Sequence, residues 1–131
     1  MKTLNKPIAL LASAFLAVIA FAGEFPDISI AEVKAVAGSD KAIIIDVNGT
    51  DSFNSGHVPG ALNFDVIEAN LAKSLPDNKD ALIIAYCGNP RCTAYQAAAK
   101  AAEKLGYKNV KHMSAGIAGW KKAGEKTEKV Q

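Results

Sequence analysis

Arginine is almost absent from this chain: Arg91 stands alone against fourteen lysines in 131 residues. Cysteine is equally scarce, with only Cys87 and Cys92, and the two histidines, His57 and His112, lie far apart. No C-x-x-C or H-x-x-x-H pair occurs, so no zinc pattern exists and no metal is expected. No Walker or Rossmann glycine pattern occurs either, and no nucleotide or other cofactor is expected. Five prolines and ten glycines without a period exclude a collagen-like or low-complexity chain, and 50% hydrophobic residues exclude disorder. An excess of one charge is also missing. The formal +2 rests on Lys2 and Lys6, because residues 23–131 carry thirteen basic and thirteen acidic side chains. Such a chain offers no basic field to nucleic acid or anionic lipid.

What the first 22 residues lack is acid. Met1 to Lys6 is a short basic region, Pro7 to Phe21 is almost wholly apolar, and Ala20-Phe21-Ala22 puts small residues where a signal peptidase reads. This three-part pattern predicts a secretory signal peptide over residues 1–22, cleaved after Ala22. The apolar run falls short of the ~20 residues of a spanning helix. No cysteine directly follows it to carry a lipid. The expectation is one exported domain, residues 23–131, in a bacterial periplasm, with no stable membrane association after cleavage. Its length suits a single domain.

Beyond Ala22 the chain alternates between strand and helix signals. Ser29 to Glu32 forms a capping box, and the helix it opens should run to Ala37 and stop at Gly38. Ala42 to Val47 and Ala81 to Tyr86 are unbroken apolar runs, the pattern of strands buried on both faces. One helical turn over Asp51 to Ser55 and a short strand over Ala61 to Phe64 lie between them. Asp65 with Glu68 reads as a second capping box for a helix ending before Pro76. Thr93 with Gln96 opens an Ala-rich helix that closes at Gly106, followed by a strand over Asn109 to Met113 and a helix over Gly116 to Ala123. Strands separated by helices predict an α/β fold with a parallel sheet covered on both faces. Residues 125–131 read as a polar tail.

Ligands of such sheets bind beyond the carboxyl ends of the strands. Cys87 falls there, after a strand and before a predicted helix, where unpaired backbone amides would favour its thiolate. Arg91, the single guanidinium, suits an oxyanion donor geometrically. In an oxidising compartment Cys87 and Cys92 could form a disulfide, but so short a loop gains little entropy from one. A redox or catalytic role has comparable weight. His57 reads as a structural hydrogen-bonding residue, and Trp120 as core.

Three ordered motifs carry a resemblance. Gly56-His57-Val58-Pro59-Gly60-Ala61-Leu62-Asn63 is similar to the G-H-I-P-G-A-x-N signature of the rhodanese family and follows Ile44-Ile45-Asp46-Val47, similar to its L-I-D-V-R. Tyr86-Cys87 with a short loop and an Ala-rich helix resembles the family's active segment, and Gly116 to Gly124 its closing G-x-x-x-W-x-x-x-G. The resemblance covers about residues 27–124. It implies a rhodanese-like central parallel β-sheet of about five strands flanked by helices on both faces. It further implies a sulfurtransferase in which Cys87 is the nucleophile and carries sulfane sulfur as a persulfide. The donor would be thiosulfate or a polysulfide and the acceptor cyanide or a thiol, with Gly88, Asn89, Arg91, Cys92 and Thr93 binding substrate and the chain monomeric. The loop departs from the usual C-x-x-G-x-R-[ST]: Cys92 stands at the arginine position, Arg91 one place early, Pro90 at the glycine, and Asn48 replaces the arginine after Asp-Val. Two other functions stay open, a thiol redox protein cycling a Cys87–Cys92 disulfide and a non-catalytic binding module.

Overall fold

The computed structural model describes residues 25–131, so the expected signal peptide over residues 1–22 lies outside the described residues. Four strands, β1 (Ala42–Asp46), β2 (Leu62–Asn63), β3 (Leu82–Tyr86) and β4 (Asn109–His112), form one sheet in the order β2-β1-β3-β4. Every pairing is parallel. The fifth position is reduced to a single bridge, Asp27 beside His112, where His112 N donates to Pro26 O at 2.8 Å and Ile28 N to His112 O at 2.9 Å. Pairing stops there because Ser29 caps a helix. It does so through the expected capping box, with Glu32 N on its hydroxyl and Glu32 Oε2 on its amide.

The central strands bury both faces. Ile45, Ile83 and Ala85 point into one core with Phe64, Leu71, Ala98 and Ala102, whereas Ile44, Ile84 and Tyr86 point into another with Val33, Phe53, Val58 and Trp120. Successive strand side chains alternate between faces, so the β-branched run of β1 serves two cores at once. Helices α1 (Ile30–Val36), α2 (Thr50–Ser55) and, late in the chain, α6 (Gly116–Lys122) supply the second core. The short helices α3 (Phe64–Ile67) and α4 (Leu71–Ser74), with the ten-residue α5 (Tyr95–Lys104), supply the first.

Two capping expectations are corrected. Asn63, not Asp65, caps α3, its Oδ1 accepting from Asp65 N at 3.1 Å. Asp65 instead turns its carboxylate to α2, where Thr50 N and Thr50 Oγ1 donate to it at 2.9 and 3.0 Å. An acid at the first amides of α2 is favoured there by the same orphan donors that favour any N-terminal anion. The helix after it is not continuous either, since a 3-10 turn, Glu68–Asn70, separates α3 from α4. Thr93 does not cap α5 by its side chain; Gln96 N bonds the Thr93 carbonyl at 3.0 Å, and the α-helix begins at Tyr95. Residues 88–94 therefore separate Cys87 from that helix.

The polar segment 125–131 is folded back onto the domain. Trp120 Nε1 donates to Lys126 O at 2.8 Å, and His57 and Glu128 exchange backbone hydrogen bonds at 2.9 Å.

Ile84 is fully buried in the central strand, whereas Val66 is 73% exposed. Ile84→Ala should lower unfolding free energy by about 2–5 kcal/mol, and Val66→Ala by no more than about 0.5 kcal/mol. Urea denaturation of the two variants checks the contrast.

Candidate functional site

The two central strands end side by side, Asp46 in register with Tyr86, and their polar ends form a buried network. Tyr86 Oη donates to Asp46 Oδ2 at 2.5 Å and accepts from Val58 N at 3.0 Å; Asn48 N donates to Asp46 Oδ1 at 2.8 Å. Asp46 is 1% exposed, and these donors replace the water that its carboxyl oxygens lose on burial. Burial raises the Tyr86 phenol far above its ordinary range, reinforced by the Asp46 charge, which holds it protonated as the donor. This network ties the G-H-V-P-G loop to the strand that delivers Cys87.

His57 has the structural role read for it. It is buried, stacks on Phe53 with ring centroids 3.7 Å apart, and its Nδ1 lies 2.8 Å from Phe53 O. A carbonyl only accepts, so Nδ1 carries the proton.

Cys87 follows β3 immediately and is 1% exposed. Its sulfur is joined to Cys92 in a disulfide, with Cα atoms 6.2 Å apart, inside the 4.4–6.8 Å range such bridges use. The loop between them folds for a local reason. Asn89 Oδ1 accepts from Arg91 N at 2.9 Å, and Asn89 O accepts from Cys92 N at 3.1 Å. These bonds make a β-turn with Asn at its first position and Pro90 at its second, where a fixed φ is favourable. The turn returns Cys92 to Cys87. Pro90, which stands at the glycine position of the usual loop, is thus the residue that shapes the ring.

The expected amide cradle is narrower than the sequence suggests. The Arg91 and Cys92 amides are committed to Asn89, and the helix after the loop begins only at Tyr95. Support comes instead from α6, whose Ile117 and Ala118 amides donate to the carbonyls of Cys87 and Gly88 at 2.9 Å. Gly116 makes that approach possible. Its φ is +65°, and a Cβ there would lie 2.6 Å from the carbonyl carbon and oxygen of Gly88. Gly116 is the site residue that sequence reasoning missed, although the closing glycine–tryptophan motif contained its signal. Arg91 is exposed and forms no ion pair with a described residue; Asn89 and Thr93 are also exposed, and Gly88 and Cys92 are half-buried.

His112 sits at the end of β4, 8% exposed and stacked on Tyr95 with centroids 3.4 Å apart. Burial lowers its pKa from the ordinary value near 6.5, and the charge of Asp27 opposes that only in part.

Comparison with known proteins agrees with this geometry. Residues 29–123 match the family described as Rhodanese-like domain. The uncharacterized protein YibN of Escherichia coli K12 is 32% identical over 97 residues, covering 72% of this chain and 64% of that protein. The HTH-type transcriptional regulator Rv0324 of Mycobacterium tuberculosis is 30% identical over 95 residues, 72% of this chain and 41% of its own. The chain thus spans less than two thirds of the length of these curated relatives. Among solved structures, the rhodanese-like domain of Anabaena sp. Alr3790 superposes with a TM-score of 0.64 at 25% identity, covering 82% of this chain and 81% of its own. A thiosulfate sulfurtransferase from Pseudomonas aeruginosa shares the fold, with a TM-score of 0.65 at 23% identity over 82% of this chain and 21% of its own.

Two outcomes follow from the buried groups. Tyr86→Phe strips Asp46 of a donor and Val58 of an acceptor, and should cost about 1–3 kcal/mol in denaturant unfolding. Because the folded chain holds His112 below its unfolded pKa, the unfolded chain binds more protons as pH falls past about 6.5, so stability falls with pH there. Thermal midpoints between neutral and mildly acidic pH should decline less steeply in His112→Phe, which keeps the stacked ring and cannot titrate.

Proposed function

The chain belongs to the rhodanese-like domain family, and from that premise we propose that it is an exported sulfurtransferase carrying sulfane sulfur on Cys87. The observation that carries this reading is the position of Cys87: one residue beyond the central strand of a family-matched sheet, at the carboxyl edge where ligands bind. With the bridge to Cys92 reduced, the Cys87 thiolate attacks the outer sulfur of thiosulfate. The S–S bond of the donor breaks, sulfite leaves with the electron pair, and Cys87 holds a persulfide. A thiol or cyanide then takes the terminal sulfur and returns the thiolate. Arg91, exposed on the loop, is the candidate for holding an anionic donor by charge-assisted hydrogen bonds. Export to the periplasm belongs to the same proposal and rests on residues 1–22.

Cys92 adds a second exit. Its thiolate can attack the inner sulfur of the persulfide, expelling hydrosulfide and closing the Cys87–Cys92 disulfide, which two thiols must then reduce. The bridge itself favours a second reading, a redox carrier that cycles between dithiol and disulfide without sulfur transfer.

Intact-mass analysis of the reduced chain after incubation with thiosulfate separates the two. One added sulfur located on Cys87 is expected, and its absence with only a re-formed disulfide overturns transfer. Cys87→Ser should abolish cyanide-acceptor activity while leaving the circular dichroism spectrum unchanged. Cys92→Ala should keep that activity and lengthen the lifetime of the persulfide; equal lifetimes in both proteins would remove Cys92 from the cycle. Arg91→Lys should weaken saturation by thiosulfate more than by an uncharged donor, by up to about 1.5–3 kcal/mol.

A further inference from the structure

Beside the bridge, a cleft is lined in part by His112, a residue with one buried ring nitrogen that the fold does not use. The cleft, of about 330 Å³, is lined by Phe25, Pro90, Cys92, Thr93, Tyr95 and His112, among others. Cys92 is half-buried in its wall, whereas Cys87 is 1% exposed and lies outside the lining. The backbone N–H and C=O of His112 are both committed to the segment 26–28. Its Nε2 has no hydrogen-bond partner among the described residues although the residue is 8% exposed. Buried polar atoms are nearly always paired, so an orphan nitrogen buried within a residue that lines a cleft points to a ligand that completes it.

We infer that this cleft receives a low-molecular-weight thiol, that the thiol attacks Cys92 rather than Cys87, and that His112 Nε2 hydrogen-bonds the incoming molecule. The inference rests on the sulfur-carrying role proposed for Cys87, because it names the reductant that returns the bridged form to work. Thiol–disulfide exchange takes place at the sulfur a thiolate can reach, and here that is Cys92. The volume lies at the lower end of the ~300–1,000 Å³ of small-molecule sites, which suits a small thiol that enters the cleft. In the first step the thiol gives its proton to solvent, and its sulfur bonds to Cys92 Sγ. The Cys87–Cys92 bond breaks, and Cys87 leaves with the electron pair as the thiolate that accepts sulfur. In the second step another thiol attacks the sulfur of the bound one and frees Cys92. Two thiols are oxidised to one disulfide, and the protein bridge is reduced.

The test uses the full oxidised chain and reduced glutathione as the probe, with acid quenching and peptide mapping. The transient glutathione adduct is expected on Cys92. Thr93→Trp, which fills the cleft, should slow opening of the bridge by about tenfold or more with its thermal midpoint retained. His112→Phe keeps the ring on Tyr95 and removes the nitrogen, so it should raise several-fold the glutathione concentration needed for half-maximal opening. An adduct on Cys87, or an unchanged opening rate in folded Thr93→Trp, overturns the assignment. Glutathione left inert while a protein dithiol opens the bridge overturns it as well. Thiosulfate loading of the pre-reduced chain is scored separately. Loading on Cys87 with a misplaced adduct sinks only the cleft, and no loading with the adduct on Cys92 sinks only sulfur transfer.

Discussion

The parallel pairing of β1 with β3 ends flush at Asp46 and Tyr86, and this shared end governs the site. An apolar sheet buried on both faces cannot leave a carboxylate and a phenol unpaired at its margin. The two satisfy each other, and the phenol also accepts from Val58 N in the next loop. One register thus sets where β3 stops, where the G-H-V-P-G loop lies, and where Cys87 emerges. A slip of one residue would send every side chain of β3 into the opposite core.

Around that edge the Cys87 segment is held from the other side by α6. Its first free amides meet the carbonyls of Cys87 and Gly88, and Gly116 removes the Cβ that would collide with them. The C-terminal segment closes the arrangement by pairing Glu128 with His57. Loop, sheet and C-terminus therefore form one mechanical unit, although their residues are scattered over the sequence.

The disulfide has a different character. Its cysteines are five residues apart, and by the loop-entropy relation so small a ring restrains the unfolded chain by only about 2 kcal/mol, against nearly 5 for a ring of ~100 residues. Its consequence is chemical rather than mechanical. A bridged Cys87 is no nucleophile, so the chemistry proposed for its thiol begins from the reduced bridge, and Cys92 is the less buried of the two cysteines.

Much of this was legible in the order of residues. The runs Ala42 to Val47 and Ala81 to Tyr86 identify central parallel strands because only strands buried on both faces lose all alternation. Ser29 with Glu32 identifies a helix start because both partners of a capping box lie within one turn. His57 could be read as structural from the turn-forming residues around it. Three facts depended on contacts between distant segments. Asp65 could cap its own helix or another, and only the packing of α2 beside it assigned the carboxylate to Thr50. Gly116 could end a turn anywhere, and only the approach of Gly88 made it necessary. Asn89 and Pro90 encode a turn locally, yet whether that turn brings two sulfurs together depends on where β3 and α5 are anchored. Local hydrogen bonding and periodicity are written in sequence neighbours, whereas the chemistry at Cys87 is decided by residues that meet only in the fold.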